Sequence, residues 1–244
     1  MALNINNISY TSALNFTDQL MHSLVMQAEE TIDKEIKKFV ASGAETIEIE
    51  ISAEEGIYQC IEYYCGLTDQ DVILDDIFTE YFPSLNRRSV FQTIYGVYEV
   101  ELQALCRNYQ KNLGGRKFDN YDGNGIVKVH NFIKRNFPNL SYMKEWELIN
   151  QFRILRNSCV HNNGRVFKRG SEIKEIASLI ESYPSLFHHD GLEFTEEKDK
   201  YTNGKQKRAG NFIIFEKGSL KLVVEGFKRY VGVVDREYIE HSKA

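Results

Sequence analysis

Apolar residues recur at three- and four-residue steps along most of this chain, a rhythm that predicts a mainly helical protein. Over residues 12–41, Met21, Leu24, Val25, Ala28, Ile32, Ile36 and Phe39 fall along one side of a helix, with Glu and Lys between them. The next stretch begins with an alternation, Ile47, Ile49 and Ile51, that fits a short strand, then turns helical from Glu54. Helix is the favoured expectation there. "DDIFTEYFPSL" predicts a short helix that stops before Pro83, because the residue preceding a proline disfavours the helical region.

The strongest periodicity runs from Arg87 to about Tyr109, where Phe91, Tyr95, Tyr98, Leu102, Leu105 and Tyr109 follow a 4-3-4-3-4 spacing and Val90, Ile94 and Val97 widen the stripe. Four glycines in "NLGGRKFDNYDGNG" break it, and "IVKVHNFIKRNF" resumes a helix that halts at Pro138. Residues 141–161 carry Leu148, Phe152, Leu155 and Cys159 on one stripe, followed by a short helix, "EIKEIASLIESY". A last helix over about 219–240 presents Leu220, Val223, Phe227, Tyr230, Val231 and Val234. Residues 188–218 are instead polar, charged and glycine-punctuated, with a small hairpin expected around "NFIIF". The expected architecture is all-α: an antiparallel helical bundle over 86–244 holding that charged insertion, preceded by an N-terminal helical extension over 1–85.

Composition narrows the partners. A chain of 244 residues with 42% hydrophobic content supports a substantial core, and a formal charge of −5 excludes a protein that grips nucleic acid with its whole surface. Any such contact is local. No window approaches the length of a membrane span and "MALNINNISYTSALNF" lacks the pattern of a signal peptide, so a cytoplasmic protein without membrane contact is expected. Cys60, Cys65, Cys106 and Cys159 lack the spacing of zinc ligands and lie near apolar stripes, where buried free thiols are expected.

Three leads toward a ligand are weak. "NYDGNG" places Asn120, Asp122, Asn124 and Gly125 as in a calcium loop, but Asn131 then stands where a bidentate carboxylate is required; a capping turn is the better reading. "HHD" at 188–190 lacks a fourth metal ligand, and Gly114–Gly115 follow no strand that would make a phosphate loop.

"LRNSCVHNNG", residues 155–164, is different. Helical geometry puts Asn157 and His161 one turn apart on the same face, roughly opposite the apolar stripe, with Arg153 one turn before Asn157 and Arg156 flanking the stripe. Cations at a helix carboxyl end also complement the dipole, so a capping role for Arg156 and His161 stands beside a functional one. The surrounding stretch, 151–170, holds Arg153, Arg156, Arg165, Lys168 and Arg169 without any Asp or Glu. Five such cations around a histidine point to a local anion site, phosphate being the usual anion that arginine forks match, with the histidine as a candidate base.

The motif "RNSCVH" resembles the signature of HEPN domains, helical-bundle proteins that include many metal-independent ribonucleases of toxin and phage-defence systems. "RRSVFQTIYGVYEVELQALC", "GNGIVKVHNFIKRNF" and "LKLVVEGFKRYV" resemble that family's early, middle and final segments, extending the likeness over about 86–240. The resemblance implies that Arg156 stabilises phosphate, His161 is the general acid or base and Asn157 orients the scissile group. It implies an endoribonuclease cleaving by 2′-hydroxyl transesterification, with no metal or cofactor, and a homodimer whose two motifs share a cleft. Arg153, Arg165, Lys168 and Arg169 would hold RNA phosphates, with Glu101, or alternatively Glu99, as a secondary acid, although an ordinary exposed carboxylate is the plainer reading of either. An antitoxin or other defence-system partner fits the resemblance. Asn163 stands where relatives paired with a nucleotidyltransferase antitoxin carry tyrosine, which disfavours that pairing. The alternative is a non-catalytic RNA-binding or dimerisation module using the same cations.

Overall fold

A computed structural model describes residues 11–168, 171–190 and 212–241. Helix α1 spans Thr11–Ser42, and two strands, β1 (Glu45–Ser52) and β2 (Ile57–Tyr64), pair antiparallel with the short β3 (Leu67–Thr68) beyond β2. One turn of helix, α2 (Leu74–Asp76), passes through a π-helical turn (Ile77–Tyr81) into α3 (Phe82–Leu113). Then come α4 (Ile126–Asn136), α5 (Glu145–Asn162), the strand pair β4 (Phe167–Lys168) and β5 (Ser171–Glu172), α6 (Lys174–Ser182), β6 (Phe187–His189), β7 (Ile213–Phe215) and α7 (Ser219–His241).

Three expectations are corrected here. The chain is mostly helical but not all-α: among the described residues seven strands form three small antiparallel sheets. The stretch from Glu54 is hairpin rather than helix, because Gly56, at φ +64°, makes the turn between β1 and β2 and Ile47 pairs across to Ile61; the N-terminal part is therefore not a helical extension alone. The helix does not stop before Pro83. Phe82 keeps helical angles, and its N–H bonds the Ile77 carbonyl across the π turn. Proline, which has no N–H to lose, sits in the first turn of α3, where it is tolerated.

The 4-3-4 stripe of α3 explains the core. Phe91, Ile94, Tyr95, Tyr98, Leu102, Leu105, Cys106 and Tyr109 are all buried, and α3 packs against α1, α4, α5 and α7. Tyr98 stacks on Phe227 of α7, with ring centroids 4.6 Å apart, while its hydroxyl donates to Asp18 on α1. Tyr109 donates to the buried Asp235 of α7 at 3.0 Å. Gly226 lets α7 approach α5, since a Cβ there would lie 2.9 Å from Phe152. His130 stacks on Trp146 at 3.8 Å, and burial, with Lys134 adding, lowers its imidazole to about 4, so it is a neutral packing group near pH 7.

The segment around "NFIIF" does pair as a hairpin, β7 against β6 with Phe187 opposite Phe215. It is no excursion from the bundle, because Phe187, Ile213, Ile214 and Phe215 are buried and Phe91 packs against Phe215. Residues 191–211 of the expected insertion lie outside the described residues. The cysteine expectation is also corrected in part: Cys106 is buried, but Cys60 and Cys65, on and just beyond β2, are exposed. Among the described residues no helix is long and apolar enough to cross a membrane.

Candidate functional site

The last two turns of α5 carry Arg156, Asn157 and His161. Ile149, Phe152, Leu155 and Ser158 turn into the core, which leaves Arg153, Arg156 and Asn157 half-buried and His161 exposed. The helix ends where Asn163 adopts the left-handed conformation (φ 52°, ψ 35°) and the Gly164 N–H returns to the Ser158 carbonyl at 3.0 Å. Ser158 Oγ in turn donates to the Arg165 carbonyl, which folds the chain back toward β7, where Ile213 N–H donates to the Gly164 carbonyl at 2.9 Å. The terminus of the motif helix is therefore stitched to the strand pair instead of fraying.

Within the motif, Arg156 Nη1 donates to Asn157 Oδ1 at 3.3 Å, and Arg153 Nε donates to Asn150 Oδ1 at 3.0 Å. Among the described residues no carboxylate lies in ion-pair contact with Arg153, Arg156, Arg165 or Lys168, and His161 makes no hydrogen bond. Arg165 spreads its guanidinium over the Phe212 ring at 5.8 Å. Arg169 lies outside the described residues. Lys168 lines an open recess of about 380 Å³ with Ser171, Glu172, Ile173, Lys174 and Glu175, so the recess adjoins the cationic stretch without containing Arg156 or His161.

The secondary acids do not join the motif. Glu99 accepts the Ile126 N–H at 3.0 Å, capping the start of α4, and its carboxylate fills the space where a Cβ on Gly125 (φ +55°) would be, 1.9 Å away. That is a helix-capping role. Glu101 forms no hydrogen bond or ion pair among the described residues. Behind Arg153 and Arg156 lies the buried Tyr95, whose phenol burial pushes up, with Glu99 acting the same way and the two arginines opposing.

One residue at this site goes unnoticed in the sequence. Arg88, on the second turn of α3, is 3% exposed and donates through Nη1 to the Asn163 carbonyl at 2.7 Å, while Nε and Nη2 are buried without partners. Its guanidinium lies 5.8 Å from the Tyr81 ring centre and no carboxylate pairs with it among the described residues. The negative end of the α5 dipole offsets part of the cost of burying it. Asp190 senses the charge of Arg88, yet its Oδ1 is occupied by the Phe212 N–H at 2.8 Å. A signal was present: position 88 falls three residues before Phe91, on the buried side of the strongest stripe.

The weaker leads resolve into structural roles. His188 pairs with Glu216 at 2.9 Å and His189 with Glu172 at 3.2 Å, two separate contacts instead of a shared metal site. In "NYDGNG", Asn131 donates to the Asp122 carbonyl at 3.1 Å, which ties the turn to α4.

Comparison with models of protein families, with curated proteins and with solved structures found no match.

Proposed function

We propose that this protein is a metal-independent endoribonuclease of the HEPN type, acting in the cytoplasm within a toxin or phage-defence system. One observation carries the reading: Arg156, Asn157 and His161 stand on the outward side of the last turns of α5, with no carboxylate paired to Arg153, Arg156, Arg165 or Lys168 among the described residues. In the reaction the ribose 2′-oxygen attacks the adjacent phosphorus and the P–O5′ bond breaks, leaving a cyclic phosphate and a 5′-hydroxyl. His161 moves the proton, Arg156 carries the charge that builds on the non-bridging oxygens, and Asn157 holds the guanidinium in register through its side-chain oxygen. Because the nucleophile belongs to the substrate, positioning and charge stabilisation are the protein's whole task. Arg165, Lys168 and Arg169 supply phosphate contacts along the strand.

A homodimer completes the site. One histidine does not serve both the attacking and the leaving oxygen well, and a second α5 facing the first brings a second His161. The absence of any second group hydrogen-bonded to His161 within one copy's described residues also favours an alternative, an RNA-binding or dimerisation module that grips phosphate without cleaving it. Incubating the purified protein with RNA in EDTA separates the two. Cleavage with cyclic-phosphate ends, lost in Arg156→Ala and His161→Ala, supports the nuclease; retardation of intact RNA supports the binding module.

A further inference from the structure

Charge is segregated along this chain. Residues 39–86 hold eleven Asp and Glu and no Lys, Arg or His, so this segment carries −11 while the remainder is net +6. Its centre is the β1–β2 ribbon. Cross-strand register places Glu48 opposite Cys60 and Glu50 opposite Tyr58 on one face, and Ile47 opposite Ile61 and Ile49 opposite Gln59 on the other. Both faces meet water. Ile47, Ile49, Ile51 and Ile57 are 44%, 47%, 60% and 46% exposed, and Ile61 is the one buried residue of the two strands. The root is fixed by a trio of rings, Phe39, Tyr64 and Phe78, with centroids 4.8–5.1 Å apart.

With only the two-residue β3 added beyond β2, the ribbon has little sheet of its own to support it, and an exposed row of apolar side chains rimmed by charge commonly marks an interaction surface. The outer edge of β1 has no neighbouring strand among the described residues. Charged side chains commonly guard such edges against aggregation, which accounts for Glu48 and Glu50 but not for the exposed isoleucine row. A second copy is a poor occupant of that edge, because antiparallel β1–β1 pairing sets rows of glutamates against each other. Glu48, Glu50 and Glu62 have no cationic partner among the described residues.

We propose that the outer edge of β1 docks an extended basic segment of another protein, in which apolar residues alternate with Lys or Arg. Added as a strand, that segment lengthens the isoleucine row on one face and sets its cations beside Glu48 and Glu50 on the other. Main-chain hydrogen bonds supply affinity and the alternation supplies specificity. The proposal is independent of RNA cleavage, since no ribbon residue belongs to that site.

The test uses the full chain and three labelled ten-residue peptides: lysine alternating with valine, the same composition with the lysines in one block, and glutamate alternating with valine. At physiological salt the alternating lysine peptide is expected to bind about tenfold or more tighter than the blocked one. It should also protect alternate β1 amides from hydrogen exchange in the unaltered protein. In Glu48→Lys/Glu50→Lys, with unchanged Tm, the preference is expected to pass to the glutamate peptide. Equal binding of the blocked peptide, no binding by any peptide, or a homodimer that Ile49→Lys dissociates would each overturn the proposal, the last by showing that a second copy covers the ribbon.

Discussion

Arg87 and Arg88 are neighbours on α3, both buried, and the two regions they serve solve the same electrostatic problem in opposite ways. Arg87 joins α3 to α1 and β7: Nε and Nη2 clasp Glu29 at 2.9–3.1 Å, and Nη1 donates to the Phe215 carbonyl at 3.1 Å. Arg88 joins α3 to the end of α5, where it has one carbonyl and an aromatic face but, among the described residues, no acid in ion-pair contact. A full ion pair closes the first junction. A helix dipole and a single strong hydrogen bond hold the second, which therefore needs no paired carboxylate at the end of the helix that bears Arg156 and His161. Under the proposed function this matters, because an acid there would compete with RNA phosphate for the same cations.

Arg87→Met strands Glu29 as a buried charge and is expected to cost about 3–5 kcal/mol in urea unfolding, most of it recovered in Glu29→Met/Arg87→Met. A double variant as unstable as the single one would mean that the pair is not the source of the loss. Gly164→Ala comes next, at about 2 kcal/mol: its φ of +76° disfavours a side chain, and the new Cβ would lie 2.5 Å from Arg88 Nη1. Arg88→Met is expected to cost least, about 1 kcal/mol, because the lost hydrogen bond is partly offset by removing two buried nitrogens that have no partner. If Arg88→Met proved as costly as Arg87→Met, the dipole account of Arg88 would be wrong.

The helices were legible because their stripes are long. The stripe of α3 reads directly from Phe91 to Tyr109, and the helix at 141–161 anticipates α5 at Glu145–Asn162. The strands were harder to read for physical reasons. β4 to β7 are two or three residues each, too short for a period of two to emerge. The ribbon strands are eight residues long, but Glu54 and Glu55 ahead of Gly56 imitate a helix start, and only cross-strand pairing distinguishes the two outcomes. At the candidate site, Arg156, Asn157 and His161 could be placed from helical geometry alone. Arg88 and the capping role of Glu99 could not, because each depends on a partner at least 27 positions away, Asn163 for Arg88 and Ile126 for Glu99.

Cleavage of RNA in EDTA by the unaltered protein, beside Arg156→Ala and His161→Ala of matched stability, tests the central claim most directly. The account predicts products ending in a cyclic phosphate and a 5′-hydroxyl, with the rate reduced roughly a hundredfold or more in each variant. Intact RNA throughout, or cleavage that survives loss of the imidazole, would contradict it.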